Sequence, residues 1–71
     1  MVTNESFGKR VRELRLKRNL TQKELAERTG RFDGPFVSHL EAGHVEPCLQ
    51  TLVTLARCLG VTLSVFFEGM G

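Results

Sequence analysis

Apolar residues recur along this chain with the period of α-helices, and helix-capping residues lie between the periodic stretches. In the first stretch, Phe7, Val11 and Leu14 share one helical face, whereas most other positions are charged. We expect a surface helix here, from an N-cap at Asn4 to Arg18. No stretch alternates apolar and polar residues over more than a few positions, so no β-strand is predicted.

Capping residues predict a short second helix. Thr21 and Glu24 have the spacing of a capping box, and Leu20 and Leu25 are placed to form a hydrophobic staple around it. Gly30 is expected to end this helix.

A third helix follows with the same arrangement. Asp33 is placed to cap it, Pro35 is tolerated in its first turn, and Gly43 ends it. Its expected staple joins Phe32 to Val37. Both short helices fall below the about 12 residues at which a helix is marginally stable alone in water. Each therefore needs neighbours to pack against.

Two more helices are predicted near the C-terminus. The fourth follows Pro47 and ends at Gly60. Its main apolar face comprises Leu49, Leu52, Val53, Ala56 and Leu59, and Leu55 lies on a different side. A last short helix has its cap at Thr62 and a staple formed by Val61 and Phe66. The sequence thus predicts an all-α fold, a compact five-helix bundle, with a single domain over residues 1–71.

Length and composition narrow the class of protein. A chain of 71 residues is near the lower size for a stable core, so no second domain is expected. No apolar run approaches the about 20 residues of a membrane span, and no apolar signal segment begins the chain. We therefore expect a cytoplasmic protein with no membrane partner. Cys48 and Cys58 lie ten positions apart on the fourth helix, beyond disulfide reach, and are expected as free thiols.

Charge is distributed unevenly. Residues 1–31 hold nine of the ten Lys and Arg residues and four acidic residues, a net of +5, whereas the remainder carries −3. A basic half suits a polyanionic partner. An ordinary solvated helix face explains a Lys- and Arg-rich first helix about as well, so charge alone leaves both interpretations open.

Three segments carry a more specific pattern, namely FGKRVRELR at 7–15, LTQKELA at 20–26 and VSHLEAG at 37–43. Together with Pro47, Leu49 and the Leu59-Gly60-Val61 run, they resemble the Xre-type helix-turn-helix family, which includes lambda repressor and Cro. The resemblance covers about residues 6–67. It implies a lambda repressor-like DNA-binding bundle, in which the second and third helices, about residues 21–43, form the helix-turn-helix.

The resemblance also implies roles for individual residues. Gln22 matches a position that contacts the DNA backbone; an ordinary polar first-turn residue is the alternative. Arg15 and Glu41 match a partly buried structural ion pair that ties the first helix to the recognition helix. The third helix matches that recognition helix, with Val37, Leu40 and Glu41 turned inward. Residues expected to face the groove are Gly34, Pro35, Ser38, His39 and Ala42, and further expected DNA contacts are Arg10, Lys23 and His44.

This chain departs from the family pattern at the start of the recognition helix. The connection formed by residues 30–33 is one residue longer than the common form. Gly34 and Pro35 occupy positions that usually carry base-reading side chains, which leaves more of the specificity to groove shape and deformability.

The remaining residues that are expected to read bases are few. Ser38 and His39 are the best candidates, and Arg31 and Asp33 are placed to reach the DNA from the longer turn. Phe36 has two interpretations: it contacts a thymine methyl or a sugar, or it packs into the core.

Catalytic and metal chemistry are not expected. His39, His44 and the two cysteines lack the spacing of a structural zinc site, so neither a metal nor a cofactor is predicted. No set of residues has a catalytic arrangement, so the protein is not expected to be an enzyme. At the start of the fourth helix, Cys48 is either a redox sensor or, the favoured interpretation, a partly buried small apolar residue.

The apolar character of the last helix predicts a partner. Leu63, Phe67 and Met70, with Leu55 of the fourth helix, are the expected homodimer interface. The function expected is that of a homodimeric transcription regulator on a short, roughly palindromic operator in double-stranded DNA. A repressor, a restriction-modification controller and an antitoxin with a toxin partner all fit. The alternative is a protein-interaction module that binds its partner through the C-terminal helix.

Overall fold

The computed structural model describes residues 3–69, which contain four α-helices and one 3₁₀ helix joined by short connections. The α-helices are α1 (Asn4–Lys17), α2 (Gln22–Thr29), α3 (Gly34–Glu41) and α4 (Leu49–Leu59), and the 3₁₀ helix is Leu63–Phe67. Residues 3–69 contain no β-strand, which confirms the all-α class. The prediction of five α-helices is wrong, because the last element is a five-residue 3₁₀ helix. Among the described helices, none has the length and apolar character to cross a membrane.

The N-cap of α1 is Thr3, so the prediction of Asn4 is wrong by one residue. The Thr3 hydroxyl accepts a hydrogen bond from the Ser6 backbone amide at 3.0 Å, and the Ser6 hydroxyl accepts one from the Thr3 amide at 2.9 Å. These two bonds form a capping box, which satisfies two of the amides that a helix start leaves free. Asn4 has no equivalent partner three residues later, and it is the first residue inside the helix.

The predicted N-caps of α2 and α3 and the predicted C-cap of α2 are confirmed, whereas α3 has its C-cap at Ala42, one residue before the predicted Gly43. The Thr21 hydroxyl accepts from the Glu24 amide at 3.0 Å, and the Glu24 carboxylate accepts from the Thr21 amide at 2.8 Å. This bond from the Thr21 amide is the main reason that the pKa of Glu24 is lowered. Gly30 ends α2 in the left-handed conformation, with φ of 67°. At the start of α3, Asp33 Oδ1 accepts from the Phe36 amide at 2.9 Å.

The core draws residues from all five elements and from the loop before α2. Leu20 and Leu25, which flank the α2 capping box, both belong to it. Phe66 is completely buried, with its ring centroid 5.2 Å from that of Phe7. The buried apolar residues are Phe7, Val11, Leu14, Leu20, Leu25, Ala26, Val37, Leu40, Leu55, Ala56, Leu59 and Phe66.

The orientation predicted for α4 is wrong in part: Ala56 and Leu59 are buried as expected, whereas Leu49 and Leu55 are not placed as expected. Leu55 is fully buried, whereas 69% of Leu49 is exposed. The buried side instead includes Thr51 and Thr54, which counting apolar residues does not reveal. Thr54 tolerates burial because its hydroxyl donates to the Gln50 carbonyl at 2.8 Å. The assignment of Leu55 to a dimer interface is therefore wrong, since its side chain is buried in the core of its own chain.

α1 and α3 approach each other very closely. A Cβ atom added at Gly8 of α1 would lie 2.5 Å from the Leu40 carbonyl oxygen and 2.6 Å from that of Glu41. Only glycine permits backbones to come this near. The position of α3 is therefore set directly by contact with α1.

Candidate nucleic-acid interface

α3 presents one side to the core and the other to solvent. Val37 and Leu40 are fully buried, and the Glu41 side chain is only 4% exposed, so the predicted inward orientation of these three residues is confirmed. The residues on the outer side are exposed, namely Pro35, Ser38, His39 and Ala42. The four residues on this outer side form what we call the reading face.

The start of α3 lies against the start of α2. Gly34 is half-buried, and a Cβ atom placed there would lie 3.8 Å from the Lys23 Cα atom. Lys23 itself is exposed. The backbone of Lys23 therefore lies beside the first turn of α3, and its exposed side chain begins there.

A buried ion pair joins α1 to α3. Arg15 Nε lies 2.6 Å from Glu41 Oε2, and Arg15 Nη2 lies 3.1 Å from Oε1. The third nitrogen of the guanidinium group, Nη1, donates to the Leu20 carbonyl at 2.7 Å. The structure thus brings Arg15 and Glu41 together in the geometry that a structural pair requires.

Gln22 joins this network from α2. Its side-chain nitrogen donates to Glu41 Oε1 at 3.1 Å, and the residue is half-buried. The sequence analysis missed this bond, because the two residues lie on different helices and no local spacing indicates it. The bond fixes the side chain at the exposed start of α2, where the helix N-terminus offers further amides to an anion.

The longer turn before α3 is built around Thr29, a residue that the sequence analysis did not single out. The Thr29 hydroxyl accepts from the amides of Arg31 at 3.2 Å and Phe32 at 3.0 Å, and it donates to the Ala26 carbonyl at 2.6 Å. Threonine at the end of a helix followed by glycine was an available signal, since short hydroxyl side chains commonly bond to nearby backbone groups.

Phe36 does not belong to the buried core. It is half-buried and its ring packs against Phe32, with the ring centroids 4.4 Å apart. Of the two interpretations made from the sequence, packing into the core is therefore wrong. Asp33 is exposed, and one of its carboxylate oxygens is engaged in capping α3.

Arg10 does not lie free on the surface for DNA. Its guanidinium group donates to the carbonyl of Val65 and, at 2.5 Å, to that of Glu68. Because these bonds hold the C-terminal segment against α1, we withdraw Arg10 from the DNA-contacting set. The sequence did not indicate this role, since more than fifty residues separate the partners.

Two histidines lie together at the end of α3. The rings of His39 and His44 have centroids 6.2 Å apart in an edge-on arrangement, and both residues are exposed. Within residues 3–69, no group of three or more His, Cys, Asp or Glu side chains has the arrangement of a metal site. The pair extends the exposed end of α3 toward the following loop.

The expected dimer interface is only partly available. Leu63 is 38% exposed. Phe67 is half-buried and stacks on Phe7, with ring centroids 6.2 Å apart, so part of its surface is used within the chain. Thr62 occupies the predicted N-cap position, but its hydroxyl lies 2.9 Å from that of Ser64 and caps no amide. Met70 falls outside the described residues.

The two cysteines are free thiols in different surroundings. Cys48 is exposed at the N-cap of α4, so the favoured interpretation as a partly buried apolar residue is wrong. A hydrogen bond with the Thr51 hydroxyl, at 3.3 Å, lowers the pKa of the Cys48 thiol. Cys58 is half-buried and donates to the Arg28 carbonyl at 3.3 Å, and burial raises the pKa of its thiol.

Comparisons with known proteins agree on the fold and the family. The model of the helix-turn-helix family matches residues 11–66. In sequence, the chain is 39% identical over 61 residues to the HTH-type transcriptional regulator DdrOP3 of Deinococcus deserti. The aligned residues cover 86% of this chain and 46% of the relative. It is 40% identical over 55 residues to the HTH-type transcriptional regulator y4dJ of Sinorhizobium fredii, covering 78% of this chain and 70% of the relative.

Among solved structures, the restriction-modification controller protein C.AhdI of Aeromonas hydrophila has the same fold. The TM-score is 0.86 at 33% identity, over 90% of this chain and 91% of that protein. The chain spans about half the length of DdrOP3. The family match over residues 11–66 includes the whole of α2 and α3 and their connection. The chain therefore belongs to the helix-turn-helix family, as its resemblance to the Xre type predicted.

Proposed function

We propose that this protein is a transcription regulator that binds a short, roughly palindromic DNA operator as a homodimer, with α3 in the major groove. The observation that carries the proposal is the exposed reading face of α3, on a helix that α1 and α2 hold by the Arg15, Glu41 and Gln22 bonds. A rigid helix with one outward side is what major-groove recognition needs. The basic residues of 1–31 add the attraction to phosphate.

The homodimer is part of this proposal. One reading face contacts few base pairs, and a twofold arrangement doubles the contacts by placing two α3 helices about 34 Å apart, in successive major grooves. Leu63, accessible on the 3₁₀ helix, is the side chain that we place at the centre of the interface.

Of the possible kinds of regulator, we place a restriction-modification controller first, because the chain is 33% identical to the controller protein C.AhdI. The chain and the controller protein C.AhdI cover each other almost end to end. A repressor and a toxin-binding antitoxin would use the same DNA-binding surface, so the genes next to the bound operator distinguish among the three.

The rival proposal is a protein-interaction module that acts through its C-terminal apolar surface. The absence of hydrogen-bonding side chains at Gly34 and Pro35 favours it. Against it, Phe66 and Phe67 both pack on Phe7, which reduces the apolar surface left for a foreign partner.

Selection from a random duplex DNA library, repeated at low and near-physiological salt, tests the proposal. We expect one enriched, roughly palindromic motif that two chains occupy, with an affinity that falls steeply as salt rises. Ser38→Glu, which places a negative charge on the reading face, should abolish enrichment. Leu16→Glu, which adds the same charge at an exposed position of α1, should retain it. Failure of the wild-type protein to enrich any motif would overturn the proposal in favour of the rival.

A further inference from the structure

Two partly exposed phenylalanine rings border the reading face, and the contacts described above leave them without a role. Phe32 and Phe36 pack together outside the core, and the guanidinium carbon of Arg31 lies 5.9 Å from the Phe32 ring centroid. With Gly30 and Asp33, they line a shallow depression of about 460 Å³. We call Arg31, Phe32 and Phe36 the aromatic patch.

The aromatic patch is held in place by backbone hydrogen bonds at both ends. Thr29 accepts from the amides of Arg31 and Phe32, and Asp33 accepts from the amide of Phe36. Pro35 further restricts the backbone between the two rings. The backbone that carries the two rings is therefore restrained before a ligand binds, which lowers the conformational entropy lost on binding.

The position of the aromatic patch points to DNA. Phe36 precedes His39 by three residues on α3, so their side chains are neighbours on the helix surface. His39 belongs to the reading face. At the first turn of the same helix, Gly34 and Pro35 offer no side-chain donor, so the largest groups beside the groove are the two rings.

The chemistry of the rings restricts what they recognise. A phenyl ring offers apolar contact and no hydrogen bond. On the major-groove edges of the base pairs, the thymine 5-methyl group is the distinctive apolar feature, and the other distinguishing groups are donors or acceptors. The charge of Arg31 beside Phe32 suits a neighbouring phosphate.

We propose that Phe36, supported by the Phe32 ring, recognises the 5-methyl group of one thymine in each half of the operator. This inference rests on the proposed DNA binding and assigns part of its sequence specificity to the aromatic patch. It also explains how a recognition helix that begins with Gly34 and Pro35 selects a sequence.

Replacing thymine by deoxyuridine in the enriched operator provides the test, because this change removes the methyl group and keeps the base pairing. For wild-type protein, we expect one symmetric pair of positions at which affinity falls about fourfold per half-site, the effect of exposing one buried methyl group. In Phe36→Ala, the same replacement should have no effect. The matched control Leu16→Ala, at an exposed leucine of α1, should keep the full wild-type discrimination.

A second measurement on the wild-type protein makes the test independent of how well Phe36→Ala folds. With 5-bromodeoxyuridine at the sensitive position, irradiation should cross-link the DNA to a peptide containing Phe36 or Phe32. Cross-linking to another segment would overturn the inference, as would discrimination that persists in folded Phe36→Ala, or equal affinity for thymine and deoxyuridine throughout the operator. Each of these results leaves operator binding intact, whereas failure to enrich any operator overturns the proposed function and this inference together.

Discussion

Replacing Arg15 by Met measures what the buried ion pair contributes to stability. The Glu41 carboxylate would lose the bonds from Arg15 Nε and Nη2 and would keep only the bond from Gln22. Because the Glu41 side chain is 4% exposed, water cannot easily replace the lost donors. Removing one partner of such a pair costs about 3–5 kcal/mol. A domain of this length unfolds with a free energy of about 4–11 kcal/mol, so the loss is a large fraction of the total.

The reverse substitution and the double variant complete the cycle. Glu41→Met leaves the guanidinium group buried with the Leu20 carbonyl as its one remaining partner, so we expect a loss of about the same size. Arg15→Met with Glu41→Met removes both charges and leaves the Leu20 carbonyl unpaired, at a cost of about 1–3 kcal/mol. The double variant should therefore be more stable than either single variant.

Urea unfolding followed by circular dichroism, at one fixed protein concentration, measures these free energies. Arg12→Met is the matched control, since Arg12 is an exposed arginine of the same helix and should change stability by less than about 0.5 kcal/mol. If the losses of the two single variants simply add in the double variant, the coupling that we infer from the distances does not exist.

Two further predictions address the DNA contacts and the dimer. Measured by fluorescence anisotropy, Gln22→Ala should weaken binding to operator and random DNA alike. His39→Ala should lose about 1–3 kcal/mol of binding free energy on the operator only. Equal losses on both DNAs would remove His39 from the base-reading residues. In sedimentation, Leu63→Asp should give a folded monomer, because a charge at the proposed interface cannot be buried, while Ser64→Asp adds the same charge next to it and should leave the dimer intact. A dimeric Leu63→Asp protein would place the interface elsewhere.

Local signals in the sequence were sufficient to locate α2 and α3. The capping bonds of Thr21 and Asp33 join residues only three positions apart, so their geometry follows from spacing alone. For α1, residue type alone pointed to Asn4 as the cap, and the signal that was missed is the capping-box spacing of Thr3 and Ser6.

The orientation of α4 and the role of Arg10 were not predictable in the same way. Arg10 bonds to partners more than fifty residues away, and the orientation of α4 is set by how it packs into the core as well as by its own apolar pattern. Thr54 tolerates its inward position because its hydroxyl is satisfied within its own helix, so the pattern of apolar residues alone places Leu55 on the wrong side. In the sequence, nothing distinguishes Arg10 from the other basic residues of α1, because its two partners are backbone carbonyl groups near the C-terminus.

The placement of the reading face depends on residues that do not belong to it. Gly8 brings the α1 backbone so close to α3 that an added Cβ atom would overlap the Leu40 carbonyl oxygen. Further along α1, Arg15 joins the same two helices through its bonds to Glu41 of α3. A side chain larger than glycine at position 8 would push α3 away from α1 and thereby move His39, with the rest of the reading face, relative to α1. In the proposed DNA complex, specificity would consequently depend on the contact between α1 and α3 as well as on the side chains of the reading face.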